Sequence, residues 1–273
     1  MTPAARRNAA VWAASAALSA LGDTMTFFAL AWAASSHGPG AASLVLTIGS
    51  APLCLLILVG GLVADRCGVR AVMVCCDLAM AAVMGAFAVG ALWSAPVWAL
   101  AVVSFASGAA AGVRRPAAGV FPRLFARDDE LTRLMATMTL LTQVAQMTGP
   151  VLGGVLLDLG GLPCTSGIDA VSFALVGLVL IAVRPPLTPS VERATVGWAS
   201  RLREAVAAAR TRRGVTPTLI AVFGLAVTIL PLVELCVPLA GHAHGWGAGR
   251  TGLVGAAWPV GGIAVVTVVR RRG

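Results

Sequence analysis

The stretch Gly61-Leu62-Val63-Ala64-Asp65-Arg66-Cys67-Gly68-Val69-Arg70 decides the fold. It is a charged corner between two apolar runs, from about Ala41 to Ala64 and from Ala71 to Trp93. A helix crossing hydrocarbon needs about 20 residues at about 1.5 Å rise each, and both runs reach that length. Asp65, Arg66 and Arg70 are therefore expected where two spans meet water. Helix ends that approach closely need small residues, and a turn out of a helix needs a residue tolerant of positive φ. Gly61 and Gly68 are suited to those two tasks.

Composition points the same way. The chain of 273 residues is 58% hydrophobic and 11% charged, with a mean hydropathy of +0.90, far more apolar than a soluble domain. The net charge of +9 is no sign of a nucleic-acid partner: all 20 basic residues are Arg, clustered in the short gaps between apolar runs. Cys54, Cys67, Cys75, Cys76, Cys164 and Cys236 show no metal-ligand spacing and read as small packing residues that bury readily. No phosphate-cradling glycine loop, nucleophile elbow or metal cluster is visible, so neither an enzyme nor a cofactor is expected.

Taken in order, a short head with Arg6 and Arg7 leads into a first span, Val11 to Ala34. The head could open a secretory signal, but the apolar run continues past Asp23 and more spans follow. The second and third spans flank the charged corner, and the fourth runs from about Pro96 to Val113. A gap from Arg114 to Arg133 is punctuated by Pro116 and Pro122, with Asp128 placed to cap the next helix. The fifth span is expected over Leu134 to Leu157 and the sixth over Leu162 to about Val183.

Residues 184–216 form a polar linker, opened by Pro185, Pro186 and Pro189, which is expected to be cytoplasmic. Within it Trp198, Leu202, Ala205, Val206 and Ala209 recur at helical spacing among Arg201, Arg203, Arg210, Arg212 and Arg213. That is the pattern of a basic amphipathic helix lying on anionic lipid, with a soluble linker helix as the alternative. The seventh and eighth spans are expected over about Thr218 to Ala240 and Thr251 to Val269. The organisation is thus an all-α membrane protein of about eight spans: a six-helix bundle over 1–183, the linker, and two helices of an incomplete second bundle over 217–273.

Arginine orients these spans. Every one except Arg250 falls in the head, the even-numbered gaps or the tail. The positive-inside rule then expects both termini to be cytoplasmic in a multi-pass protein of the cell membrane. His37, His242 and His244 fall on the other side, and two imidazoles in a glycine-rich loop are only half a metal site.

The pattern of Gly61, Ala64-Asp65-Arg66, Gly68 and Arg70 resembles motif A of the major facilitator superfamily, departing from it at Val69. Gly149-Pro150-Val151-Leu152-Gly153-Gly154, in the fifth span, is similar to motif C of that superfamily's proton-coupled exporters, with Ala145 where another glycine is common. Pro150 removes a backbone donor and bends the helix, while the glycines admit a close neighbour. Leu21-Gly22-Asp23, the Arg115-Pro116-Ala117 and Pro122 pattern, and Ile168-Asp169-Ala170-Val171-Ser172-Phe173 resemble the branch of macrolide and siderophore exporters. The motif B arginine of drug exporters is not found in the fourth span, where Ser104, Ser107 and Gly108 stand.

The superfamily's two six-helix halves give a reading of the tail. Motif A begins at Gly61, 50 positions after Val11, and the same offset from Thr218 reaches Val268 in Val-Val-Arg-Arg-Arg-Gly. The chain looks like a member lacking its last four helices. The resemblance implies alternating access, with motif A as a charge cluster that holds helix ends together in one state and releases them in the other.

Charged groups inside spans are the site candidates, because inserting one costs at least about 2.5 to 3.5 kcal/mol. Asp23, Asp169 and Glu234 are candidates to bind a proton or a cationic substrate; for Asp23 and Asp169 a structural bond to a neighbouring helix is equally open. Asp77, nearer the interface, reads as structural. Trp32, Phe27 and Phe28 are candidates to line a pocket. The expected function is secondary transport, exporting a small amphipathic compound against proton influx, with membrane lipids as surroundings. The alternatives are an inactive truncated chain and a non-transport module acting through Arg201 to Arg213.

Overall fold

The computed structural model describes residues 3–126, 128–183, 216–218, 220–221, 224 and 232–257. No strand occurs among them. In lipid no water pairs with exposed backbone groups, so apolar runs of this length satisfy their N–H and C=O groups internally as helices. The helices are α1 (Pro3–Ser35), α2 (Pro39–Cys67), α3 (Val69–Gly90), α4 (Val97–Val120) and α5 (Asp128–Ala182), with a 3-10 turn Phe121–Leu124 after α4. All five are long and apolar enough to cross a membrane. A π-helical turn, Leu232–Cys236, leads into the short α6 (Val237–Ala243), and α7 covers 248–257. Residues 184–215 of the expected linker, part of the expected seventh span and most of the eighth lie outside the described residues.

α5 is two crossing arms in one run of residues. Gly161 breaks it with φ 65° and ψ −164°, a combination open to glycine alone at small cost. The second arm folds back: Thr24 of α1 meets Ala145 and Gly149 before the break, while Gly22 lies against Asp169 and Ser172 after it. The expected fifth and sixth spans are thus both present, joined at one glycine.

Three pairings build the bundle. α1 packs on both arms of α5, α3 packs on the second arm, and α2 packs on α4. α2 and α4 approach to backbone contact, where a Cβ at Gly108 would run into Gly49 and one at Gly60 into Gly112. Ser104 Oγ donates to Val45 O at 2.8 Å across the same seam. Two apolar clusters fill the interior. One joins Trp12, Met73, Phe121, Phe125 and Leu180 at the arginine-rich end; the other joins Leu30, Val45, Met84, Leu100 and Phe173 toward the opposite end. Leu55, Trp98, Leu140 and Leu159 are about 70% exposed or more, an apolar exterior that water would penalise and hydrocarbon accepts.

Two features depart from the sequence reading. α4 does not stop at Val113 but continues through Arg114, Arg115 and Pro116 to Val120. None of the six cysteines is buried: Cys54, Cys67, Cys75 and Cys236 are exposed and Cys76 and Cys164 half-buried, all as free thiols. Thiols facing lipid satisfy hydropathy as well as thiols in a core.

Candidate functional site: an acid-lined cavity

A cavity of about 630 Å³ opens between α1, α2, α3, α4, both arms of α5, the turn at 232–238 and α7. Its walls are mostly apolar, from Phe27, Phe28, Leu53, Met80, Met84 and Phe173. Three acids border it: Asp23 from α1, Asp169 from the second arm of α5 and Glu234 from the π-helical turn. Trp32, an expected wall residue, does not line it and packs nearer the end of α1.

The three acids are held differently. Asp23 is open to the cavity, on the helix turn next to Thr24. Thr24 is pinned into the seam, its hydroxyl within 2.9–3.2 Å of the carbonyls of Ala20, Leu21 and Ala145. Asp169 is only 1% exposed, behind Gly22. Ser172 Oγ, 2.8 Å from Asp169 O, also reaches Oδ1 at 3.2 Å, while Oδ2 meets no hydrogen-bond partner among the described residues. Glu234 is half-buried and stands in a wide π turn, a helix irregularity common at functional positions.

Basic and neutral polar groups share this space. Arg114 and Arg115 line the cavity, as does Gln146. The Arg114 Nε atom forms an ion pair with Asp77 Oδ1 at 2.5 Å, with Asp77 completely buried. α4 therefore does carry an inward-facing arginine, just beyond the span expected from hydropathy. Arg114 resembles a gap residue because hydropathy does not distinguish a base at the water interface from one paired inside. Gln146, one turn before Pro150, carries no signal in a single sequence.

The Gly-Pro-Val-Leu-Gly-Gly string forms the cavity's back seam. A Cβ at Gly149 would collide with Thr24, one at Gly153 with the Met25 backbone, and one at Gly154 with Ala248 of α7. Pro150 itself lines the cavity. The charged corner lies at the arginine-rich end. Gly61 meets nothing within 4 Å among the described residues; the glycine packed on α4 is its neighbour Gly60. Gly68 makes the turn alone, with φ 88° and its N–H on Ala64 O. Asp65 and Arg66 stand in the last turns of α2. Arg70 donates from Nε to Leu180 O at 2.6 Å and from its guanidinium to Ile181 O, tying α3 to the carbonyl end of α5.

His242 stacks on Trp32, and among the described residues no group of His, Cys, Asp and Glu is arranged to bind a metal ion.

The family profile described as Major Facilitator Superfamily matches residues 12–272. None of the curated proteins compared with the chain matches it. With paired apolar helices around an acid-lined cavity and a profile match over nearly its whole length, the chain belongs to the major facilitator superfamily, whose members are secondary transporters of membranes.

Proposed function

We propose that the chain exports a small amphipathic compound across the cell membrane in exchange for protons, as in the drug, macrolide and siderophore exporter branch. The observation that carries this is the meeting of Asp23, Asp169 and Glu234 at one cavity with apolar walls. An apolar chamber of this size suits a lipophilic body, and carboxylates suit a proton or a cationic group. Binding both at the same acids makes them compete, which is the simplest coupling of outward cargo to inward proton.

The remaining residues take positioning roles. Gly149, Pro150, Gly153 and Gly154 keep α5 against α1 and α7, the seam along which two bundles would rock. Asp65, Arg66, Gly68 and Arg70 secure the arginine-rich end, which lies in the cytoplasm with both termini; Gly61 faces open space there among the described residues. Arg114, paired with Asp77, holds positive charge beside the acids without itself being the proton carrier.

The test is uptake of a fluorescent lipophilic cation into inside-out vesicles made acidic within. The chain is expected to concentrate the dye only while the gradient lasts, with Asp23→Asn and Glu234→Gln each lowering the initial rate tenfold or more. Gradient-independent accumulation, or unchanged rates in both variants, contradicts the proposal.

A further inference from the structure

At the end of the bundle opposite the arginine-rich corner, where α7 carries Arg250, α5 and α7 meet through a contact that the cavity chemistry does not use. Both carboxylate oxygens of Asp158 accept backbone hydrogen bonds, Oδ1 from Ala248 N at 3.1 Å and Oδ2 from Gly249 N at 2.9 Å. These amides are the first two of α7, donors without a partner inside their own helix and at its positive end. Hydrogen bonds to an ionised acceptor are the strong kind, and here two converge on one side chain. Alongside, the Trp32 and His242 rings stack with centroids 3.8 Å apart, and His242 Nε2–H donates to Trp32 O at 3.1 Å.

We propose that Asp158 is the latch of this end: its carboxylate holds α7 onto α5 in the state seen here and lets go when the cavity opens there. The partners are far apart in sequence, so the contact ties the six-span bundle to the helices on the far side of the linker. It is also reversible, because water replaces both partners at a rim once they separate. A continuous seam connects the latch to the cavity. Gly154 packs under Ala248, and Gly252 and Gly255 pack on Pro150. Pro150 and Gly255 both line the cavity, so a compound pressing on them acts on the same seam. The latch rests on the two-state motion proposed above but not on any particular cargo or ion.

The test measures distances by pulsed electron paramagnetic resonance on the purified full chain, in a background lacking the native cysteines. One spin-label pair, Ser36 and Ala243, spans the seam; a second, Ser36 and Ser94, lies within the first bundle. Asp158→Ala is expected to raise the longer-distance population of the first pair about tenfold relative to the shorter one and to leave the second pair unchanged. Gly249→Ala, whose methyl would sit 2.9 Å from Asp158 Oδ2, is expected to act in the same direction. If Asp158→Ala does not fold, Asp158→Asn, which keeps one carbonyl acceptor, is read in its place with a smaller expected rise. An unchanged first pair, or broadening of both pairs together, overturns the latch. Neither measurement requires transport, so failure here and failure of the efflux reading are separate results.

Discussion

Asp77 and Asp23 both sit in apolar runs, on helices that pack against α5, and their surroundings are opposite. Asp77 is completely enclosed and faces Arg114 in an ion pair. Asp23 opens to the cavity and meets the charges of Arg114 and Arg115 only at longer range. A carboxylate inside a membrane helix is thus not by itself a functional group. The two differ in whether a counter-charge within the bundle is committed to them. Asp77 has a fixed counter-charge in Arg114, while Asp23 faces the chamber without a close one among the described residues.

That contrast can be broken most severely at Asp77. Asp77→Asn leaves Arg114 without its counter-charge in a low-dielectric site and is expected to cost about 3–5 kcal/mol, read as a lower thermal midpoint and lower yield in detergent. The double variant Asp77→Asn with Arg114→Gln is expected to recover most of the loss. If the single variant is as stable as the parent, the pair is not structural and the contrast with Asp23 disappears.

A smaller effect is expected in the seam beside Asp23. Gly149→Ala places a methyl into Thr24 and is expected to cost about 1–3 kcal/mol of thermal stability, whereas Gly61→Ala, meeting open space, is expected to change it by less than about 0.5 kcal/mol. Equal effects would mean that the two motif glycines do the same work. Arg70→Gln, removing the ties to Leu180 and Ile181, is expected to cost about 1–2 kcal/mol by the same measurement. The smallest expected change in stability is that of Asp23→Asn, within about 0.5 kcal/mol, because among the described residues its carboxylate makes no hydrogen bond or ion pair.

Much of this fold is legible in the sequence because lipid leaves a chain few choices. Run length locates the helices, the glycines around 160 mark the reversal, and Asp23 and Asp169 stand out as charges where charge is expensive. The corner at Gly68 and the seam at Gly149 are also readable, since positive φ and close approach both select glycine. Direction around a helix is harder to read from sequence. Arg114 looks like the first residue of a gap because hydropathy records its charge and not its partner Asp77. Gly60 and Gly61 are equivalent on paper, and only the helix phase puts Gly60 against Gly112. Asp158 reads as a loop acid until the start of α7 is seen beside it. The cysteines fail for the same reason, since an apolar residue in a membrane helix can face protein or lipid at similar cost.

In the proposed exchange, proton and cationic cargo compete for the open acids of one cavity. Adding tetraphenylphosphonium, a simple lipophilic cation, to the purified chain in weakly buffered detergent with a pH indicator present reads that competition out. Reciprocal linkage predicts release of about one proton per cation bound, lost in Asp23→Asn and retained in the stable Asp77→Asn, Arg114→Gln double variant. Cation binding without proton release, or release that survives in Asp23→Asn, would contradict it.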